Sequence, residues 1–433
     1  MLVPHEPDAD PRVRWVMQLC GDIAPTEVIG LDGWSDTGIR KKPFREYEGN
    51  VWIERIERLD YASWKVKFEL QWTKWLSKGG AITRYLDRER NGGATLDLGC
   101  LQRVDHAVGA WCRFRTAWAA YNLMIDALYV RARSSCIAPT TVVCHDVFAL
   151  AAGVKLKQLF RCRLLYDAHE FWPEADLLAQ PWEKEVMAAY EGALVQHADA
   201  VVTVTPQIAR HLEQRYRIKK VVCAPNAAPT VSASFHDKVD GTKPEGPIKV
   251  LFQGQVAWRR GMDELLRAWR NVDASLAVLY VRCPENDYSA RLQNEYKDLI
   301  AKGQVLFLDA VAENELVAAA KMADIGIIPY VGPNLNHLYC CPNKLSQYMQ
   351  AGLAILANRL EFIAQIVERF QCGMLYDAHH PESLVKAVRY LADHRSELQI
   401  MRRRARLGAQ TEFNWESQSV EYRRAVEALC MQT

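Results

Sequence analysis

Thr141-Val-Val-Cys-His-Asp-Val-Phe-Ala-Leu-Ala-Ala-Gly-Val-Lys-Leu-Lys-Gln-Leu-Phe-Arg-Cys-Arg-Leu-Leu-Tyr-Asp-Ala-His-Glu170 decides the class of fold. Residues 141–144 are a short apolar run of strand length that ends in His145-Asp146. Residues 149–160 carry helical apolar spacing, and 163–166 are a second strand-like run that ends in Asp167-Ala168-His169-Glu170. A strand, a helix and a strand in so short a span form a βαβ unit, and continuous apolar strands argue for a parallel sheet covered on both faces. In such a sheet ligands lie beyond the carboxyl ends of the strands, where both histidine clusters fall.

Outward from this stretch the alternation continues. A helix over 183–196, a strand at 200–204, a helix over 206–215 and a strand at 220–223 lead into Ala224-Pro225-Asn226. Residues 231–247, with Gly241, Lys243, Pro244, Gly246 and Pro247, read as a linker. A second set follows, with strands at 248–252, 276–281, 305–308, 325–328 and 354–357. Its helices fall near 261–271, 288–301, 314–321 and 344–351, and Met374-Leu375-Tyr376 precedes helices near 381–393, 397–410 and 415–429. Towards the amino end, Leu2-Val3 closes a short strand, a helix face covers 13–20, and short strands follow at 26–31 and 51–56. The expected plan is a first strand–helix domain over 1–230, the linker 231–247, a second domain over 248–412 and a C-terminal helix at 413–433 packing back on the first.

Residues 61–133 form a helical insertion in the first domain. Trp64, Phe68, Trp72 and Trp75 make one face among Lys65, Lys67, Lys74 and Lys78; Trp111, Trp118, Tyr121, Ile125 and Leu128 repeat it beside Arg113, Arg115, Arg131 and Arg133. An aromatic face rimmed with cations suits an anionic membrane surface, but the reading favoured is a core helix whose lysines form its solvated face.

Composition is that of an ordinary globular chain. With 54 basic against 52 acidic residues and no block of like charge, nothing points to nucleic acid. Twelve cysteines are scattered without Cys-x-x-Cys spacing, and Cys144, Cys162 and Cys223 sit in apolar runs, as reduced cytoplasmic thiols do. The adjacent Cys340 and Cys341 have no further ligand nearby in sequence, so no metal site is expected. The charged start of the chain is unlike a signal peptide, and no apolar run reaches membrane-spanning length.

Three groups of residues carry chemistry. His145-Asp146 with Asp167, His169 and Glu170 can position a hydroxyl and remove its proton. In Phe252-Gln253-Gly254-Gln255 the glycine admits close backbone approach, and Arg260 of Trp258-Arg259-Arg260-Gly261 can clamp phosphate oxygens. The third is 338–356, where Pro342 and Asn343 mark a helix start, Lys344 and Gln347 lie on the helix, and Glu361 follows the next strand. Arg260 and Lys344 would together hold two positive charges over one interdomain cleft, enough to stabilise a leaving diphosphate without a metal ion.

These motifs, His145-Asp146, Tyr166-Asp167-Ala168-His169-Glu170, Gly254 with Arg260-Gly261, and Pro342-Asn343-Lys344-Leu345 through Ala351-Gly352, resemble the retaining glycosyltransferases of family 4, of GT-B architecture. The resemblance implies an α/β fold of two Rossmann-like domains facing across a cleft, with the nucleotide diphosphate-sugar in the second. It implies that His145 and Asp146 act at the reacting sugar. Gly254, Gln255, Arg259, Arg260, Asn343, Lys344, Gln347 and Glu361 would bind the donor, and His5, Glu6, Asp167, His169 and Glu170 would lie on the acceptor side. No cofactor or metal is implied, the donor being a co-substrate. Three departures are visible. No glycine follows the first strand, where Pro4 to Arg12 stand; Gln255 replaces an expected arginine; and Tyr339 and Gln347 occupy the positions of two expected glutamates.

The expected activity is metal-independent sugar transfer to a hydroxyl with retention, in cell-surface polysaccharide or glycolipid synthesis, in the cytoplasm with peripheral contact at the inner membrane face. The partners expected are the donor and a lipid-linked or saccharide acceptor. The alternatives are a nucleotide-sugar epimerase of the same fold, a glycoside hydrolase using Asp146 and Glu170, and a non-catalytic donor-binding or scaffold subunit.

Overall fold

A computed structural model of the chain describes residues 1–5, 7, 10–31, 45–56, 98–135, 138–176, 178, 180–230 and 246–431. It divides into two compact units, Met1–Val201 with Val426–Thr433, and Val202–Ala425. Glu6, the aromatic and lysine residues between 61 and 97, and residues 231–245 of the expected linker lie outside the described residues.

In the first unit, Asp10 caps α1 (Pro11–Ile23) by accepting from the Arg12 N–H at 2.9 Å, and Pro11 takes a first-turn position where its missing donor costs nothing. Then follow β1 (Thr26–Leu31), β2 (Arg45–Glu48), β3 (Val51–Ile56), α2 (Leu98–Arg133), β4 (Thr141–His145), α3 (Asp146–Phe160), β5 (Arg163–Ala168) and α4 (Pro181–Val195). β3 pairs parallel with β1 and antiparallel with β2, while β4 pairs parallel with β5. Residues 1–3 join the two sets. Leu2 N–H donates to Val143 at 2.8 Å and His145 N–H to Leu2 at 3.0 Å, while Val3 N–H donates to Ile29 at 3.0 Å. With residues 1–3 as the first strand, the order β3, β1, 1–3, β4, β5 is doubly wound, and its switch point lies between residues 1–3 and β4.

The described aromatic face of α2 is core. Tyr121 stacks on Phe148 at 3.8 Å, Trp118 meets Tyr190 edge-on at 4.7 Å, and Ile125 and Leu128 are buried. Trp111 alone of the residues named on that face is half exposed.

β6 (Ala200–Thr203) carries the chain across the boundary of the units, and its last residues pair with β7 (Val222–Cys223) after α5 (Pro206–Tyr216). The second unit continues with β8 (Ile248–Gln253), α6 (Met262–Trp269), β9 (Ala277–Arg282), α7 (Asp287–Glu295), α8 (Lys297–Ala301), β10 (Val305–Leu308), α9 (Leu316–Ala320) and β11 (Ile325–Ile328). It ends with α10 (Leu335–Leu338), α11 (Asn343–Gln350), β12 (Ala354–Asn358), α12 (Glu361–Phe370), β13 (Gly373–Tyr376), α13 (Pro381–Asp393), α14 (Arg395–Thr411) and α15 (Trp415–Gln418); the last helix, α16 (Val420–Met431), begins in it and belongs to the first unit from Val426 on. The parallel sheet has the order β10-β9-β8-β11-β12-β13, so the strand order reverses between β8 and β11, which is the switch point. Val250, Phe252, Leu279, Ile327 and Leu356 from its strands and Leu265, Trp269 and Leu391 from its helices form one buried core.

Local differences from the expected elements have local causes. The helix expected over 288–301 breaks at Tyr296 (φ −110°, ψ 25°), whose ring is buried. α12 is a helix over a segment for which no element was expected, and Phe362, Ile363, Ile366 and Val367 bury its one face. Pro342, not Asn343, occupies the N-cap of α11 and makes no side-chain cap bond. Gly326 in β11 admits α11 to the sheet: a Cβ there would stand 2.3 Å from the Tyr348 ring. Tyr348 in turn accepts the Gln253 N–H at 2.8 Å, which ties α11 to the end of β8.

Candidate functional site

The switch point of the second unit is built by two glycines. Gly254, just past β8, has φ +114° and donates its N–H to Arg282 O at 2.9 Å; a Cβ there would lie 3.1 Å from Lys344 Nζ. Gly261 has φ +79°, and a Cβ would overlap Pro329 O, so only glycine lets the β8–α6 loop rest on the end of β11. Consequently Arg260 and Lys344 reach one oxygen. Arg260 Nη1 donates to the Tyr330 hydroxyl at 3.1 Å and Lys344 Nζ at 3.0 Å. Both cations also lie over the Tyr330 ring, at 5.5 and 5.3 Å, and Lys344 stands 5.1 Å from the Phe252 ring. Asn358 Nδ2 donates to Tyr330 O at 2.7 Å and holds the loop.

Lys344 is only 8% exposed and forms no ion pair with a carboxylate among the described residues. A buried ammonium without an anion is costly unless a ligand supplies one. Burial would raise the Tyr330 phenol, but the Lys344 and Arg260 charges outweigh it and hold the group below its ordinary value.

The remaining donor-side residues are spread around this centre. Gln255 is exposed, and the Arg259 guanidinium lies 4.1 Å over the exposed Trp258 ring. Asn343 opens α11 with its Oδ1 buried and without a hydrogen bond among the described residues; Gln347 is buried one turn later. Glu361, at the start of α12, accepts from Gln207 Nε2 at 3.2 Å with Arg210 at 3.8 Å. Tyr339 tilts over His211 at 5.3 Å. Tyr330 was not legible in the sequence, since only the strand order sets the end of β11 beside the end of β8.

In the first unit the switch point carries the histidines. His145, at the end of β4, is fully buried; its Nδ1 lies 2.9 Å from His169 Nε2 and 3.3 Å from Asp167 Oδ2. His169 Nδ1 lies 2.9 Å from Asp10 Oδ2, and its Nε2 lies 3.2 Å from Asp167 Oδ2. Arg12, from the first turn of α1, grips Asp167 with Nη2 at 2.7 Å and Nε at 3.1 and 3.2 Å, both residues fully buried. Asp146 has φ +62°, and its Oδ1 accepts from the His169 N–H at 3.2 Å and the Trp172 indole at 3.0 Å, so it holds the loop that carries His169. His5 lies in the segment after the first strand and its O accepts the Leu31 N–H at 3.1 Å; Glu170 is exposed.

These contacts dictate where the protons sit. Burial opposes charge on His169, but Asp167, Asp146 and Asp10 outweigh it and hold its pKa well above the ordinary value. Burial pushes His145 down to about 4, with Asp167 opposing. Burial would raise Asp167 and Asp10, but Arg12 and His169 hold the first, and His169 the second, well below the usual carboxylate range. Near neutral pH His169 is therefore the imidazolium, donating from both nitrogens, and His145 accepts at Nδ1. Its one proton then sits on Nε2, a buried donor with no partner among the described residues. The atoms His145 Nδ1, His169 Nε2 and Asp167 Oδ2 are close enough to hold a metal ion instead, in which case the ion would replace the His169 proton and share Asp167 with Arg12.

Residues 234–408 match the family of glycosyl transferases group 1, and residues 83–227 match the glycosyl transferase 4-like domain, so the two cover most of the chain. The chain is a glycosyltransferase of this group. A D-inositol 3-phosphate glycosyltransferase of Paenarthrobacter aurescens (strain TC1) is 22% identical over 299 residues, spanning 64% of this chain and 71% of that one. Among solved structures, sucrose-phosphate synthase from Thermosynechococcus elongatus is similar over 100% of this chain and 99% of its own, with TM-score 0.69 and 14% identity. Anabaena Alr3699/HepE in complex with UDP and glucose is similar over 99% and 98%, with TM-score 0.65 and 11% identity. The fold of the glycosyltransferase is thus GT-B, an α/β fold of two Rossmann-like units, and the expectation drawn from the motifs holds for family, fold and enzyme class.

Proposed function

We propose that this glycosyltransferase takes its sugar from a UDP-sugar and passes it to a hydroxyl with retention of anomeric configuration. The observation that carries the reading is Lys344, a buried cation without a carboxylate, converging with Arg260 on one oxygen at the switch point of the second unit. A diphosphate supplies the missing negative charge, and the leaving UDP is stabilised by those cations in the transition state. Solved relatives of the same fold are described with UDP and with UDP-glucose, which makes uridine the first base to test. His145 serves the reaction as a hydrogen-bond donor through Nε2 to a sugar oxygen. Asp10, Asp167 and His169 hold its tautomer. The route needs no metal ion, since its charge stabilisation comes from side chains.

The test is UDP release from a panel of UDP-sugars, with and without saccharide and lipid-linked acceptors. Release that is lost in His145→Ala while UDP still binds fits the reading; binding of no UDP-sugar would overturn it. Product formed without acceptor would favour an epimerase.

The acceptor we assign is a hydroxyl of a surface polysaccharide or glycolipid, met in the cytoplasm at the inner membrane face. No helix among the described residues is long and apolar enough to cross a membrane. The half-exposed Trp111, with the Arg115 guanidinium 5.4 Å from its ring, supports a peripheral contact. Co-sedimentation with anionic vesicles that is unchanged in Trp111→Ala would remove that support.

A further inference from the structure

The hydroxyl at the centre of the second unit's site has an incomplete set of hydrogen bonds. Tyr330 OH stands 3.1 Å from Arg260 Nη1 and 3.0 Å from Lys344 Nζ. Guanidinium and ammonium are donors only, so both contacts use the lone pairs of the phenol oxygen. The phenol proton is thereby left for a third group, and no acceptor for it lies among the described residues. Tyr330 is 5% exposed, so bulk water is a poor substitute. Two positive groups meet at this neutral oxygen, and Lys344 has no carboxylate to balance it.

An oxyanion answers both deficits at once. It accepts the phenol proton, and its charge balances the Lys344 ammonium. A neutral hydroxyl or amide ligand would satisfy the proton and leave the charge. We propose that Tyr330 is a direct ligand of the donor's diphosphate, giving its O–H to a phosphate oxygen while its two lone pairs hold Arg260 and Lys344 in position. This rests on assigning a nucleoside diphosphate to the second unit. The hydroxyl then has two effects: it adds a third donor to the phosphate, and it sets the spacing of the other two. Asn358, which holds the Tyr330 main chain, fixes the ring that carries it.

The discriminating variant is Tyr330→Phe, which keeps the ring beneath both cations and removes only the oxygen. Wild type and variant are titrated with UDP, GDP and ADP and with the matching nucleosides, followed by ligand-observed NMR, and both are melted without ligand. Loss of one hydrogen bond to a charged group predicts a nucleoside diphosphate bound about tenfold to a hundredfold more weakly by the variant. The nucleoside should bind as before, while the melting temperature falls by the few degrees that the two lost hydrogen bonds to Arg260 and Lys344 cost. The ratio of diphosphate to nucleoside affinity within one sample cancels any loss of folded protein. A variant that binds the diphosphate as tightly as wild type overturns the assignment of Tyr330 and leaves the donor reading standing. Equal weakening of nucleoside and diphosphate overturns it as well, because the damage is then general. Wild type that binds no nucleoside diphosphate overturns both.

Discussion

Lys344→Met separates a cation kept for a ligand from one kept for the fold. Methionine fills the volume of the lysine stem and removes the charge. Arg260 Nη1 and Lys344 Nζ each lie about 3 Å from the Tyr330 oxygen, so they are at most about 6 Å apart. Two unit charges at about 6 Å repel by roughly 3 kcal/mol at an effective dielectric near 20. Losing the bond from Lys344 to Tyr330 costs about 1–2 kcal/mol. The ligand-free variant should therefore gain about 1 kcal/mol, or about 2–4 °C in melting temperature for a unit of this size. With a diphosphate present the sign reverses. An ammonium about 4 Å from a phosphate charge is worth up to about 4 kcal/mol at that dielectric, and a net loss of about 2–3 kcal/mol is roughly a 30- to 150-fold weaker complex. Thermal melting with and without UDP reads both quantities, since a ligand raises the melting temperature by mass action. A variant that melts lower than wild type and still binds UDP equally would show that Lys344 is structural, and would refute the reasoning.

Other perturbations have signs set by the same geometry. Gly261→Ala puts a Cβ on Pro329 O at a φ of +79°, and should lower stability by several kcal/mol, visible as a large drop in melting temperature; a drop below about 1 °C would count against the close approach. Gly254→Ala strains a φ of +114° and crowds Lys344 Nζ, so UDP affinity should fall about tenfold or more, alongside about 1–2 kcal/mol of strain. Stability should also fall in acid. His145 takes up a proton near pH 6.5 when unfolded but only near about 4 when folded, so the unfolded state binds more protons in that window and the fold loses on the order of 2–3 kcal/mol as pH drops through it. Asp10 and Asp167, held low by His169 and Arg12, add their loss below about pH 4, while the His169 contribution is complete below about 6.5 and is lost only as pH rises through its elevated folded value. Melting between pH 6.5 and 4 should therefore shift less in His145→Gln, and equal shifts would exclude a buried neutral His145.

Much of the fold was written locally. The runs at 305–308 and 325–328 became β10 and β11 as expected, because an apolar strand bounded by turn residues needs little context. The βαβ stretch after Thr141 behaved the same way. α12 was not among the expected elements, although its apolar spacing at Phe362, Ile363, Ile366 and Val367 was present. Of the site, Gly254, Arg260 and Lys344 were legible as a glycine at a strand end and cations at helix starts. The aromatic face of α2 allowed two readings, and only its partners Phe148 and Tyr190 resolve it as core.

The sequence by itself determined the alternation of strand and helix, and hence parallel sheets with ligands at their carboxyl ends, because those follow from periodicity and handedness within a few turns of chain. It also determined the family, through short motifs. Tertiary structure alone decided which strand ends become neighbours. The doubly wound order sets β8 beside β11 and residues 1–3 beside β4, and so brings Tyr330 to Lys344 and Arg260, and Asp10 and Arg12 to His169 and Asp167. Arg260 is 70 residues from Tyr330, Asp10 is 159 from His169 and Arg12 is 155 from Asp167, and the protonation and charge of these groups depend on burial and on each other.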